Sequence, residues 1–441
     1  MNGFVGADVD QLIALARRVE LQSQKFSEIA ASSSVALMVA EWTGADIDRI
    51  RNEWSRQSKP SMQRMAGNLA ALAIELRKQA EQQRSTSTAG GRRPLSAADQ
   101  RIYDAALKDP NSLSSLSRED VAAFWAALSP EQQKALMERD SVLVGNLSGV
   151  PFEDRIESNR LTAKQRLKDP FLSQKERAYL QAVVDPPAGK ERIQLVVYDP
   201  DDDRIVEMVG HFTDKTTTVV TYVPGTFTTM DSFYSSDGPQ QISRYLNQKD
   251  PNTVAFVYKD GAFPQDLISA SDKSHAEENS HQLASFQGDV DAERPSSSNS
   301  VAIGHSWGFA DVAYSEQQGA HYDKVVSLSG AYLPPDWHPA SGTEYSNFSY
   351  RVDALSGAQT VGGGGPGYPN WNPEFQQHHY ISPVEVAVEA IAAVGSANPI
   401  ASLSARVWLG IEGLSNHGLI ASSAAENQAA LEDLRHAIHA D

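Results

Sequence analysis

Hydrophobic positions along this chain follow three different rhythms. Over residues 1–85 apolar side chains recur every three or four positions: Val9, Leu12, Ile13, Ala16, Val19 and Phe26, then Ile47, Ile50, Trp54, Met62, Met65, Leu69, Leu72 and Leu76. That spacing predicts two long amphipathic helices. Glu41-Trp42-Thr43-Gly44 lies between them, with Gly44 suited to a chain reversal and Trp42 able to cap the apolar seam. Asp46 is placed to cap the second helix, and Pro60 is expected to kink it near Ser58 or Lys59. The polar run from Ser85 to Pro94 reads as a flexible linker, with its domain limits at 86–94.

Short helices are predicted over 95–185. Ser117-Arg118-Glu119-Asp120 is a helix start with Asp120 at the capping-box position, and Val121, Phe124, Trp125 and Leu128 share one face. Ser129-Pro130-Glu131 starts the next helix with proline at its first position.

From residue 186 to 441 the apolar runs shorten to strand length. Arg192–Tyr198 and Arg204–Phe212 flank Asp199-Pro200-Asp201-Asp202-Asp203 as an antiparallel hairpin. Strands follow at Thr217–Val223, Thr253–Tyr258, Val301–Ile303, Lys324–Leu328, Phe348–Val352 and Arg406–Ile411. Helices are expected over 239–248, 276–293, from Trp307 to about Gly319, over Val384–Ala393 and over Ala425–His439. The stretch 355–380 reads as a loop, with Gly362 to Gly367 as a rim or hinge. Strands alternating with helices predict a mostly parallel, doubly wound α/β sheet.

Composition narrows the function classes. The 441 residues carry a net charge of -18, so polyanion binding, which needs clustered Lys and Arg, is not expected as a main function. There are no cysteines, which removes thiol catalysis, disulfides and cysteine metal sites. No stretch approaches the roughly 20 apolar residues of a membrane span, and no ordinary signal peptide is expected. Gly362–Gly367 lacks the Gly-Lys-Ser/Thr of a phosphate loop, and Asp199–Asp203 lacks the spacing of a calcium loop. No metal and no cofactor are expected.

Two stretches carry family resemblances. The run from Phe124 to Arg160 contains Phe-Trp-Ala-Ala-Leu-Ser-Pro-Glu-Gln-Gln-Lys-Ala-Leu, then Val144-Gly145-Asn146-Leu147-Ser148-Gly149-Val150-Pro151, Asp154-Arg155 and Ser158-Asn159-Arg160. It resembles the pre-catalytic region of actinobacterial α/β-hydrolase-domain proteins of unassigned physiological function. The resemblance implies an α/β-hydrolase fold over 186–441, preceded by a helical hairpin (1–85) and a small helical subdomain (95–185). Trp42-Thr43-Gly44 in its helical context resembles the Trp-x-Gly hairpins exported by type VII secretion systems, although residues 77–84 lack the tyrosine-and-acid tail of that group. That likeness implies secretion, with a cytoplasmic location as the alternative, and a partner hairpin or secretion chaperone engaging residues 1–85.

The candidate chemistry centres on Val301-Ala302-Ile303-Gly304-His305-Ser306-Trp307-Gly308. A buried strand running into Gly-x-Ser-x-Gly is the pattern of a nucleophile elbow, and makes Ser306 the candidate nucleophile. Serine attack on an ester needs a base, an acid that orients the base, and donors for the oxyanion. In the α/β-hydrolase fold the order is serine, acid, histidine. His417, before the last helix, is the preferred base, with His378 and His379 as fallbacks; His305, beside the nucleophile, is expected to pack or give polar support. Asp353 is the preferred acid and Asp336 the alternative, although Ala354-Leu355-Ser356-Gly357 departs from the turn that usually follows such an aspartate. The oxyanion donors are expected to be the N–H of Trp307 and that of Thr226 or Phe227, in Pro224-Gly225-Thr226-Phe227. The combined reading is a serine esterase or lipase-type hydrolase acting on a small-molecule or lipid ester. Its rivals are a type VII-secreted phospholipase-type effector and a non-catalytic interaction protein on the same fold.

Overall fold

The computed structural model describes residues 45–88, 95–361, 365–382 and 415–439, together with single helical positions between Ala16 and Ser34. The chain forms two compact units, Met1–Gln100 and Arg101–Asp441.

In the first unit the described residues are helical. Ser23 Oγ donates to the Ala66 carbonyl at 2.9 Å and Trp54 Nε1 donates to Ser34 Oγ at 3.1 Å. As one partner advances along the chain the other retreats, so the two segments run antiparallel. Trp42, Thr43 and Gly44 lie outside the described residues. Asp46 is the second residue of the helix Ala45–Glu53. A π-helical turn, Trp54–Ser58, precedes the helix Lys59–Thr88. Pro60 lacks the N–H that a regular ladder would need, and the wider turn relieves the ring's clash with the preceding carbonyls. The helix runs three residues past Ser85, where the linker is expected to begin, and residues 89–94 lie outside the described part.

The second unit is built on an eight-stranded sheet. Its strands are β1 (Gln194–Asp199), β2 (Arg204–Val209), β3 (Thr218–Val223), β4 (Thr253–Asp260), β5 (Asn299–His305), β6 (Lys324–Leu328), β7 (Glu344–Tyr350) and β8 (Gln376–Tyr380). Their spatial order is β1-β2-β4-β3-β5-β6-β7-β8. β2 is antiparallel to β1 and β4, and every pairing from β4 to β8 is parallel. This is the α/β-hydrolase fold.

The sheet is buried on both sides because successive side chains point to opposite faces. Along β4, Val254, Phe256 and Tyr258 join one core with Phe286, Trp307 and Phe309, and Ala255 and Val257 join the other with Ile242, Leu246, Leu431 and Ile438. Helices Lys273–Glu293 and Trp307–Gln317 thus cover one face, and helices Gln241–Lys249 and Gln428–His439 the other. Each fully buried Val, Leu, Ile or Phe side chain contributes about 1.5–3 kcal/mol relative to exposure.

The two largest departures from expectation lie in the second half of the sheet. β7 starts at Glu344, four residues before its expected start. The segment expected as a loop over 355–380 holds the helix Ala354–Val361 and strand β8. β8 reads Gln-Gln-His-His-Tyr and is half exposed at the edge of the sheet formed by the described residues, so it has no hydrophobic alternation to betray it. The expected helix 384–393 and strand 406–411 lie outside the described residues, as do Gly362, Gly363 and Gly364. Among the described residues no helix is long and apolar enough to cross a membrane.

The helical segment before the sheet docks on the edge strand β1. Ser117 and Ser129 cap the helices Arg118–Ala127 and Pro130–Arg139, the latter with a full capping box through Gln132. Asn146 accepts from the Tyr198 N–H (2.8 Å) and donates to the Tyr198 carbonyl (3.1 Å), and Asn159 Nδ2 donates to the Leu195 carbonyl (3.0 Å). These side chains satisfy backbone groups that an unpaired edge strand would present to other chains. Gly145 is required here: a Cβ would lie 2.1 Å from Asn159 Oδ1. The buried pair Arg155–Asp289 (3.0 Å) ties the same segment to helix Lys273–Glu293.

Candidate active site

The loops after β3, β5 and β7 open on one edge of the sheet, because parallel strands in register end together. Val223 on β3 pairs with Gly304 on β5, and Leu328 on β6 with both His305 and Phe348. The carboxyl edge of such a sheet is where ligands of α/β proteins bind.

At the end of β5 the chain turns sharply into helix Trp307–Gln317. Ser306 sits at the turn with φ 53° and ψ -125°, a conformation costly for a residue with a Cβ. The surroundings hold it there. Its N–H donates to the Leu328 carbonyl (3.0 Å), and its own carbonyl accepts from Ala331 N–H (2.9 Å). Both flanking glycines are sterically required: a Cβ on Gly304 would lie 2.3 Å from Phe309 Cα, and one on Gly308 2.3 Å from the Pro224 carbonyl oxygen.

His417 lies in a short helical turn, 415–419, before the closing helix. Its Nε2 is 2.9 Å from Ser306 Oγ and its Nδ1 is 3.0 Å from Asp353 Oδ2. Asp353 lies three residues beyond the end of β7. Its other oxygen accepts from the backbone N–H groups of Leu355 (2.9 Å) and Ser356 (3.0 Å), at the start of helix Ala354–Val361. The unusual Ala354-Leu355-Ser356-Gly357 is therefore a helix start, with the acid in the capping position. Burial pushes the Asp353 carboxyl up, but the hydrogen bond and charge of His417 and the Ser356 N–H outweigh it and leave it below its ordinary value. Asn416, fully buried, donates to the Val352 carbonyl (2.8 Å) and fastens the histidine turn to the acid's loop.

The alternative acid does not reach this group. Asp336 is exposed, on a turn closed by Trp337 N–H to the Pro334 carbonyl, and both nitrogens of His417 are engaged by Ser306 and Asp353. The fallback histidines lie on β8, where His378 stacks on Phe348 at 4.3 Å and His379 Nδ1 meets Ser349 Oγ at 3.1 Å.

Of the expected oxyanion donors, Phe227 is a correction. With φ 70° its N–H turns away and donates to the Pro264 carbonyl at 2.8 Å. Among the described residues the Thr226 N–H makes no backbone hydrogen bond, and neither does that of Trp307, the first residue of its helix. Gly225 lets this loop close on the nucleophile, since a Cβ there would lie 2.8 Å from Ser306 Cβ and 3.1 Å from His305 Nδ1.

Two further residues support this arrangement, Asn416 without any expectation from the sequence and His305 in the polar-support role expected of it. Asn416 carries no sequence signal beyond its place before His417. His305 Nε2 donates to the His417 carbonyl at 2.8 Å. Burial, aided by the proximity of His417, pushes His305 down to about 3, so its imidazole is neutral. Among the described residues no group of three or more His, Asp or Glu is arranged to hold a metal ion.

No family model and no curated protein matches the chain. Solved structures similar to it include the Francisella virulence factor BioJ, at 12% identity over 73% of this chain and 99% of that one (TM-score 0.32). Another is a dienelactone hydrolase-like promiscuous phosphotriesterase from metagenomic libraries, at 14% identity over 55% of this chain and 94% of that one (TM-score 0.30). A third is the thermophilic esterase 2 of the planctomycete Thermogutta terrifontis, at 10% identity over 47% and 94% (TM-score 0.28). The chemistry of the site rests on its own geometry.

Proposed function

We propose that this protein is a serine hydrolase that cleaves carboxylic esters, of the lipid or acyl kind, through an acyl-enzyme on Ser306. The observation that carries the reading is the continuous chain Ser306 Oγ–His417–Asp353, with links of 2.9 and 3.0 Å, on the carboxyl edge of the sheet. His417 Nε2 takes the hydroxyl proton as Oγ bonds to the ester carbonyl carbon. The oxyanion faces the N–H groups of Trp307 and Thr226, and the partial positive charge of the helix start adds to Trp307. Asp353 holds Nδ1–H, keeping Nε2 free to accept and stabilising the imidazolium. Collapse expels the alcohol, which leaves with the proton from His417. Water, deprotonated by the same nitrogen, then attacks the acyl carbon, and Ser306 recovers its proton as the carboxylic acid departs.

A fluorophosphonate probe tests this. Labelling of the wild-type protein and not of Ser306→Ala is expected, together with turnover of p-nitrophenyl esters in preference to peptides. Absence of labelling and of esterase activity would overturn the reading in favour of a non-catalytic scaffold.

A further inference from the structure

Beside the oxyanion loop the surface carries an apolar group that the fold does not use. Phe227, Leu267 and Ile268 are 56%, 74% and 86% exposed and line one open groove of about 800 Å³ with Gln265, Asp266, Ser269 and Asp272. Single exposed aliphatics are ordinary, but a contiguous apolar group in a groove marks a binding surface. The short helix that carries Leu267 and Ile268 is tied at both ends. Asp266 Oδ1 accepts from the N–H groups of Ile268 and Ser269, both at 2.8 Å, and so caps the five-residue helix Leu267–Ser271. Tyr332 Oη donates to the Ala270 carbonyl (3.3 Å) at its other end.

The groove adjoins the loop that presents Thr226, because Phe227 is one of its lining residues. The Phe227 N–H bond to Pro264 and the Gln265 Nε2 bond to the Thr228 carbonyl (3.2 Å) join its floor to the loop that presents Thr226. Phe263, beside that joint, packs edge-on against Trp307 with ring centroids 5.0 Å apart. A chain lying on Leu267 and Ile268 and continuing past Phe227 meets the loop that presents Thr226.

We propose that Phe227, Leu267 and Ile268 form the substrate face for an uncharged aliphatic chain of the ester. The inference rests on the ester-hydrolase reading of Ser306. An anionic chain is disfavoured because Asp266 and Asp272 line the groove and, among the described residues, no Lys or Arg lines it. Burying aliphatic surface is worth about three- to fourfold in affinity per methylene.

The test compares p-nitrophenyl acetate, p-nitrophenyl octanoate and an ester of octanoate length ending in a carboxylate. In the wild type, kcat/KM is expected to be at least about tenfold higher for octanoate than for acetate. The carboxylate ester is expected to fall at least about tenfold below octanoate. In the double variant Leu267→Ser/Ile268→Ser the octanoate-to-acetate ratio is expected to drop about tenfold. Both side chains face solvent, so the variant's melting temperature is expected to stay at the wild-type value. A flat chain-length profile, an unchanged ratio in the variant, or parity of the anionic and neutral esters would overturn the inference while fluorophosphonate labelling of Ser306 still stood. Loss of both labelling and turnover in the wild type would instead overturn the hydrolase reading, and this inference with it.

Discussion

His305 Nε2 donates to the backbone carbonyl of His417 across 2.8 Å, and the two rings lie 5.0 Å apart. One histidine thus fixes the backbone of another. Replacing His305 by Phe fills the space and removes the donor, leaving a partly buried carbonyl without its partner. Misplacement of a reacting group by about 1 Å costs on the order of 10²-fold, so kcat for p-nitrophenyl acetate is expected to fall between about ten- and a hundredfold. His305→Gln, which keeps a side-chain N–H, is expected to recover part of that loss. Equal kcat in the wild type and the Phe variant would remove the positioning role.

Asp353→Asn tests the acid. An amide beside Nδ1 can hold the wrong imidazole tautomer, and kcat is expected to fall by about 10³–10⁴-fold. Asp336→Asn, on its exposed turn, is expected to leave kcat within about twofold. Steady-state kinetics on both variants decide the matter, and a large loss in the second would return the role to Asp336.

Gly225→Ala places a methyl group where Ser306 Cβ and His305 Nδ1 already stand, at 2.8 and 3.1 Å. The loop Pro224–Phe227 must retreat. The expected result is a loss of about 10²–10³-fold in kcat, the cost of misplacing one oxyanion donor, with kcat falling more than KM changes. Stopped assays across a substrate range would read the split.

Asp289 joins the helical segment to helix Lys273–Glu293 on the sheet, accepting from Arg155 (3.0 Å), Ser148 Oγ (2.9 Å) and Gly149 N–H (3.0 Å). Asp289→Ala strands Arg155 in a site where its side chain is 3% exposed. The expected destabilisation is about 3–5 kcal/mol, measurable by urea unfolding. A change below about 1 kcal/mol, the worth of a surface pair, would show that water replaces the partner.

Glu316 brings a pH dependence of stability. Burial pushes its carboxyl up to about 7 against hydrogen bonds from Tyr345 Oη (2.6 Å) and Trp337 Nε1 (3.3 Å). The folded state then binds more protons than the unfolded state between 4.5 and about 7. Stability from this group is therefore full below 4.5 and is lost as pH rises through about 7. Glu316→Gln keeps an acceptor and cannot ionise, so melting curves from pH 5 to 8 are expected to fall less steeply in the variant than in the wild type.

Much of this molecule is legible in the order of its residues. The strands β1 to β6 announce themselves by β-branched runs, and the residues around Ser306 by two glycines whose missing Cβ atoms the turn demands. Serine-capped helix starts at Ser117 and Ser129 are equally local. These features depend on side-chain period and backbone sterics, which neighbouring residues alone decide. β8 stays hidden because an exposed edge strand needs no apolar alternation. The choice between Asp353 and Asp336 is open along the chain for another reason: each follows a strand of the sheet, and which one meets His417, more than sixty positions onward, is a matter of where two loops converge. The same holds for Phe227, whose N–H is claimed by Pro264 thirty-seven positions away. Sequence determined the sheet, its elbow and the residue types needed there. Tertiary structure decided between Asp353 and Asp336 at His417 and gave the Phe227 N–H to Pro264, because hydrogen-bond partners are selected by distance in space and periodicity records only distance along the chain.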